Sequence, residues 1–341
     1  MQNILVTGGL GYIGSHTVVA LHEAGFNPII LDNNSNSSPE FLQRIAKIIG
    51  QTPTHYNFDV CNKNALNNLF VTENISGVIH FAAFKAVGDS VNNPLSYYRN
   101  NVDGLLSLLE CMEENKIENI VFSSSCSVYG DAKEQPVNEN TPTEKAQSPY
   151  AHTKQIGEDI LNAATIANSQ LQVIALRYFN PTGAHSSAII GEAPLGVPSN
   201  LIPFLTQTAA GIRKQLTIYG NDYDTPDGTC IRDYIHVTDL ANAHVIAIKR
   251  MLEDKNIRAY ELFNLGTGKG SSVLECVNTF EEVTGVKVNY TIGERRAGDV
   301  VKVWADTRKA NEVLGWKSEC DLKMMLKSAW DWQCALLNNK S

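Results

Sequence analysis

Short runs of consecutive apolar residues punctuate the first half of the chain: NILVT (3–7), PIILD (28–32), GVIHF (77–81), NIVFSSS (119–125) and QVIALRYFN (172–180). They are rich in Ile and Val and lack strict polar alternation, as parallel strands covered on both faces do. Segments 12–24, 63–72, 95–116 and 150–168 carry apolar residues at helical spacing and predict helices. Such alternation predicts an α/β fold with a doubly wound parallel sheet. The polar stretch Asn33–Ser38 reads as a loop. Beyond Asn180 the rhythm breaks in PTGAHSSAIIGEAPLGVPSN, and ELFNLGTG (261–268) predicts a strand returning to the first sheet. The expected division is a nucleotide-binding domain of residues 1–180 plus about 236–270, and a smaller C-terminal α/β substrate-binding region of 181–235 plus about 271–341.

Composition narrows the partners. A net charge of −8 repels polyanions, so neither nucleic acid nor an anionic membrane is an expected partner. An anionic ligand would need positive charge gathered locally. The seven cysteines are scattered, with no C-x-x-C pair. They predict reduced thiols in a cytoplasmic protein and no metal site. The start runs directly into NILVTGG, from which neither a signal peptide nor a membrane helix is expected.

The first chemical signal is TGGLGYIGSH, which spaces Gly8, Gly11 and Gly14 three apart between a strand and a helix. Glycines there permit a tight turn and close approach to a pyrophosphate, which the helix N-terminus attracts. Asp32 ends the next predicted strand, 18 positions beyond Gly14, close to the offset of a carboxylate that binds adenosine ribose hydroxyls. It would repel a 2′-phosphate, so the expected cofactor is NAD and not NADP. HFAAFKAVGDS also follows a strand; Ala82 and Ala83 would admit the cofactor backbone, and Lys85 is a candidate phosphate contact.

The second signal is SPYAHTK, where Tyr150 and Lys154 stand four apart on a predicted helix, one face apart by a single turn. A phenol titrates near pH 10 and is a poor base at neutrality. A neighbouring ammonium and a positive nicotinamide ring are expected to favour the phenolate. A serine at the end of NIVFSSS would hold the substrate oxygen in line.

The ordered set TGGLGYIGSH, LDN, HFAAFKAVGDS, FSSSCSVYG, SPYAHTK, LRYFNPTGAH, DGTCIRDYIHV and RRAGD strongly resembles the UDP-glucose 4-epimerase family of extended short-chain dehydrogenases, over Met1 to about residue 335. The resemblance implies a Rossmann-type sheet and a cytoplasmic enzyme of galactose metabolism that interconverts UDP-glucose and UDP-galactose. Tyr150 would take the proton of the sugar 4-hydroxyl, Ser125 would hydrogen-bond that oxygen, and Lys154 would hold the nicotinamide ribose and bias the phenol. NAD would stay tightly bound and be regenerated each turnover. By the same carry-over the cofactor shell adds Tyr12, Ile13, Asn33, Asn36, Ser37, Asp59, Val60, Phe81, Asn100 and Phe179. Asn180, Asn200, Leu201, Thr217, Ile218, Tyr219, Arg232, Arg296 and Asp299 fall on substrate positions, the two arginines suiting a diphosphate. Relatives pair helices between subunits, which implies a homodimer through the 95–116 and 150–168 helices.

Three rivals were weighed. A sugar-nucleotide 4,6-dehydratase would carry Asp-Glu where this chain has Cys126 and Ser127, so dehydration is disfavoured. A net dehydrogenase would need NAD to exchange at each turnover, and a non-catalytic NAD-binding protein would have no need of the phenol and ammonium kept here. Val303 occupies a position where some relatives carry tyrosine; its smaller volume implies tolerance of UDP-GlcNAc and UDP-GalNAc.

Overall fold

The apolar runs form strands because they can bury both faces at once. Ile4 and Val6 enter one core with Val18, Leu21, Phe41, Ile45 and Leu240, while Leu5 between them enters a second core with Leu66, Leu69, Leu105, Leu108 and Leu161. Alternate side chains of a strand point to opposite faces, so each face carries its own helical layer. The computed structural model describes residues 1–296 and 299–338.

The first part contains β1 (Asn3–Thr7), α1 (Tyr12–Glu23), β2 (Asn27–Leu31), α2 (Glu40–Ile49), β3 (His55–Tyr56), α3 (Lys63–Glu73), β4 (Ile75–His80), α4 (Val87–Asn92), α5 (Pro94–Tyr98), α6 (Gly104–Glu114), β5 (Asn119–Ser125), α7 (Pro149–Ala167) and β6 (Gln172–Tyr178). Then follow β7 (Asn180–Thr182), α8 (Leu201–Ala209), β8 (Leu216–Tyr219), β9 (Ile231–Arg232), β10 (Tyr234–His236), α9 (Val237–Leu252) and β11 (Tyr260–Leu265). The chain closes with β12 (Ser271–Ser272), α10 (Val273–Thr284), β13 (Tyr290–Gly293), β14 (Lys302–Val303) and α11 (Leu322–Asn338).

Seven strands form one sheet in the order β11-β6-β5-β4-β1-β2-β3, every pair parallel. The order reverses between β1 and β4, and a crevice opens at such a switch point beyond the carboxyl ends of the strands. A separate apolar cluster joins Ile202, Leu205, Leu216, Ile218, Val277, Phe280, Met325 and Leu326, and so gathers α8, β8, α10 and α11 beside the sheet.

Three expectations need correction. The helix predicted over 95–116 runs unbroken from Pro94 to Glu114 but is not α throughout: α5 ends at Tyr98, a π-helical turn spans Arg99–Asp103, and α6 begins at Gly104. The wider turn places Asn101 inside, where it bonds the Phe84 N–H at 2.8 Å, the Phe84 carbonyl at 3.0 Å and the Thr153 hydroxyl at 2.9 Å. Such bulges recur near functional sites. The strand QVIALRYFN stops at Tyr178, because the Asn180 N–H turns to the Asp233 carbonyl at 2.9 Å and starts β7 against β10. The run predicted as a strand to residue 268 likewise leaves the sheet after Leu265. Helices α2, α4, α8, α9, α10 and α11 lie outside the sequence-based assignment. Of the segment 271–341 and the RRAGD motif, residues 297–298 and 339–341 lie outside the described residues.

Candidate active site

The glycine loop leaves β1 at the switch point. Gly8 has φ of +70°, and a Cβ on it would stand 2.9 Å from the Ala82 nitrogen. A Cβ on Gly14 would lie 2.2 Å from the Gly8 carbonyl oxygen, so α1 can seat this closely on the loop only with glycine there. Gly11 is the N-cap of α1 and no side chain caps the helix, which leaves its first N–H groups and dipole to face an anion. Tyr12 and Ile13 open α1, and the Tyr12 hydroxyl donates to the Gly183 carbonyl at 2.6 Å.

Asp32 follows β2 and is buried. One carboxylate oxygen accepts from the Leu10 N–H at 2.9 Å, and the other from the Asn34 N–H at 2.9 Å and the Ser37 hydroxyl at 2.7 Å. It therefore ties the 33–38 loop, including exposed Asn36, to the glycine loop. Asn33 donates to Asp59 at 2.9 Å, next to buried Val60. Phe81 packs tilted against His244 with ring centroids 4.6 Å apart, Ala82 and Ala83 follow it after β4, and the Asn100 amide donates to Asn101 at 2.9 Å. This cradle, too tight for any Cβ at Gly8 or Gly14, fits a dinucleotide.

Local sequence explains the second half. Ser148 caps α7 by accepting the Ala151 N–H at 3.2 Å, and Pro149 takes the first helical position, where its missing N–H costs nothing. Tyr150 and Lys154 then project one turn apart from the same helix. The Ser125 hydroxyl, at the end of β5, stands close enough to the Tyr150 phenol to favour its ionised form. Burial nevertheless pushes that phenol up to about 12; Ser125 pulls it back, and the Cys126 thiol adds to the rise. Lys154 is drawn down to about 8 by burial, against the opposing pull of Glu158. Its ammonium donates to the Ser123 carbonyl at 2.6 Å and lies 5.0 Å from the Phe122 ring centroid. Desolvation therefore favours the neutral phenol among the chain's own groups, and the positive nicotinamide ring expected beside it is the further charge that would favour the phenolate.

The candidate substrate residues gather on the other wall. Arg296 bonds Asp299 at 2.7 Å and lies 5.5 Å from the Tyr219 ring centroid, and Arg232 reaches Asp299 at 4.0 Å. Thr217, Ile218 and Tyr219 lie on β8, where Ile218 is buried and Tyr219 exposed. Asn180 opens β7 next to buried Phe179, while Asn200 caps α8 by position just before Leu201. Sequence reasoning missed Glu192. Its carboxylate takes both Lys85 at 3.1 Å and Asn200 at 2.9 Å, joining a cofactor residue to a substrate residue. Only the Gly-Pro-Ser texture of its loop marked the segment, and no periodicity singles out a carboxylate there.

The family profile described as GDP-mannose 4,6 dehydratase matches residues 5–329. UDP-glucose 4-epimerase of Yersinia pestis is 48% identical over 330 residues, covering 97% of each chain. The chain belongs to the UDP-glucose 4-epimerase family. Among solved structures, UDP-glucose-4-epimerase from Stenotrophomonas maltophila, with bound NAD and formylated UDP-arabinopyranose, is 42% identical and superimposes with a TM-score of 0.97 over 99% of this chain and 100% of the other. The epimerase from Bifidobacterium longum, in complex with NAD+ and UDP, is 43% identical with a TM-score of 0.94 over 99% of each chain.

An epimerase does not need the acid and base that a dehydratase places after the third serine, and this member has none. Burial pushes the Cys126 thiol up to about 12, so it stays protonated at neutral pH. Ser127 offers only a hydroxyl, and its N–H is bonded to Ser125 at 3.2 Å. Val303 sits on β14 beside Arg232 of β9 and is buried with Val128, Tyr129 and Phe179. The described residues contain no cluster suited to a metal ion, and none of their helices is long and apolar enough to cross a membrane.

Proposed function

We propose that this protein interconverts UDP-glucose and UDP-galactose at C4 through a transient 4-keto sugar, with tightly held NAD regenerated in each turnover. The observation that carries the reading is Tyr150 and Lys154 one turn apart on α7, beside the end of β5 with Ser125 and at the same sheet edge as the glycine loop. Bound NAD supplies reversible acceptance of the C4 hydrogen with its electron pair. Gly8, Gly11 and Gly14 hold the pyrophosphate, Asp32 the adenosine ribose, and Lys85 a phosphate. Tyr150 takes the proton of the 4-hydroxyl and returns it, and Ser125 keeps that oxygen in line. Because burial favours the protonated phenol, Tyr150 becomes a base only when more positive charge stands beside it. Arg232 and Arg296 pair with the diphosphate, Asp299 accepts from ribose, Thr217–Tyr219 line the base, and Asn180, Asn200 and Leu201 hold the remainder. Gripping the nucleotide while holding the hexose weakly lets the keto sugar present its other face.

Purified protein given UDP-galactose should form UDP-glucose with no net change in nicotinamide absorbance. Steady NADH accumulation, or loss of water from the sugar, would refute the assignment. The small Val303 supports extension to UDP-GlcNAc and UDP-GalNAc. Exposed Val87 and Val91 on α4 and Leu95 on α5, beside α7, support a homodimer built on these helices. Seven free cysteines support a cytoplasmic location.

A further inference from the structure

Behind the catalytic pair lies a carboxylate to which the proposed reaction gives no part. Glu158 continues the spacing of Tyr150 and Lys154 by one more turn of α7. One of its oxygens accepts from the Ser124 hydroxyl at 2.5 Å and from Arg177 Nε at 2.8 Å; the other accepts from Arg177 Nη2 at 2.5 Å. Ser124 of β5 and Arg177 of β6 are register partners in adjacent parallel strands, so both side chains leave the sheet on the face that α7 covers. Glu158, Arg177 and Lys154 are 7%, 5% and 4% exposed, which leaves their charges little screened by water.

We propose that Glu158 is a positioning residue for the epimerase reaction: clamped to Ser124 and Arg177, it fixes α7 against the strand carrying Ser125 and sets a buried negative charge one turn behind Lys154. Two consequences follow. The clamp sets the register of Tyr150 against Ser125, since Ser124 and Ser125 are adjacent on β5. The charge favours the ammonium form of a lysine whose direct polar partner is the Ser123 carbonyl.

Few other groups around the pair change charge near neutrality. His80 of β4 is held neutral, pushed down to about 3 by burial and by Lys154. Tyr178 of β6, Tyr260 of β11 and Tyr129 of the turn after β5 are all raised by burial, and Arg177 is raised by Glu158 once its own desolvation is offset. A titration near pH 8 in this layer therefore belongs to Lys154, with Tyr150 as its neighbour on the helix.

The inference rests on the epimerase reading, so wild-type turnover of UDP-galactose is measured alongside: its absence strikes that reading, whereas an active wild type with unaltered variants strikes the clamp alone. The test is the pH dependence of kcat and KM, per folded NAD-loaded enzyme, for Glu158→Gln and for Glu158→Gln combined with Arg177→Leu. The double variant removes both buried charges together and decides the matter if the single one does not accumulate. In either, kcat should fall about tenfold or more with KM within threefold, and the high-pH limb should move to lower pH by at least about half a unit. Glu158→Asp, which keeps the charge on a shorter arm, should lower kcat with the limb in place. A kcat within twofold of wild type overturns the proposal. So does a lowered kcat with an unmoved limb in the Gln variants, which is what a purely structural prop would give.

Discussion

Removing the Tyr150 hydroxyl tests how the chain's own electrostatics enter the reaction. With the phenol pushed up to about 12, its ionised form at pH 7 lies about 7 kcal/mol above the neutral one, from about five pH units at roughly 1.4 kcal/mol each. Proton transfer from the sugar must therefore be helped by added positive charge and by the Ser125 hydrogen bond, and neither can act on a ring without oxygen. Positioned acid–base groups contribute about 10²- to 10⁴-fold, so Tyr150→Phe should lower kcat about a thousandfold, roughly 4 kcal/mol. KM should stay within about threefold, because the residues proposed for the diphosphate are Arg232 and Arg296, both beside Asp299 and not Tyr150. NAD content should be unchanged, since the glycine loop and Asp32 do not touch Tyr150. The assay is steady-state conversion of UDP-galactose from pH 5.5 to 10, with NAD quantified after denaturation. In wild type the low-pH limb should follow the phenol; in the variant that limb should disappear. Residual kcat within about tenfold of wild type, with the limb still present, would refute the assignment of Tyr150 as the base.

Other substitutions test separate parts of the account. Lys154→Met should abolish most turnover yet raise stability. Burial lowers this ammonium from its ordinary value to about 8, so at pH 7 its charge costs about 3 kcal/mol, partly offset by the bond to Ser123. Because the folded pKa lies below the unfolded one, the cost is full below pH 8 and fades as pH rises toward 10.5; the gain in Tm, followed by thermal melts, should fade with it. Gly14→Ala would put a methyl 2.2 Å from the Gly8 carbonyl, so it should cost about 1–3 kcal/mol of stability and reduce NAD retention at least tenfold by ligand quantification. Val303→Tyr should suppress conversion of UDP-GlcNAc at least tenfold while leaving UDP-galactose within threefold, as competing substrate assays would show. Sedimentation at micromolar concentration should give a dimer; a monomer there would count against the helical interface.

Much of the site was legible because its signals are local. The glycine spacing, the carboxylate after β2 and the Ser-Pro-Tyr helix start each follow from a short stretch with one physical cause. The sheet was legible because doubly buried strands have no polar face. What escaped depends on distant partners. The π-helical turn at Arg99–Asp103 goes with Asn101 bonding Phe84 and Thr153, which no window of the helix reveals. The burial that raises the Tyr150 phenol was not legible either, because charge spacing is visible in a sequence and desolvation is not. Glu192 meets Lys85, 107 residues away, only in the folded chain.

The central claim is that a single sugar carbon gives up its hydrogen and regains the same one on the opposite face. UDP-galactose carrying deuterium at C4 tests it directly, with the product examined by NMR and mass spectrometry. The account predicts UDP-glucose with the label kept at C4 and no solvent hydrogen in its place. Washout of that deuterium into water, or its recovery in released nicotinamide, would contradict it.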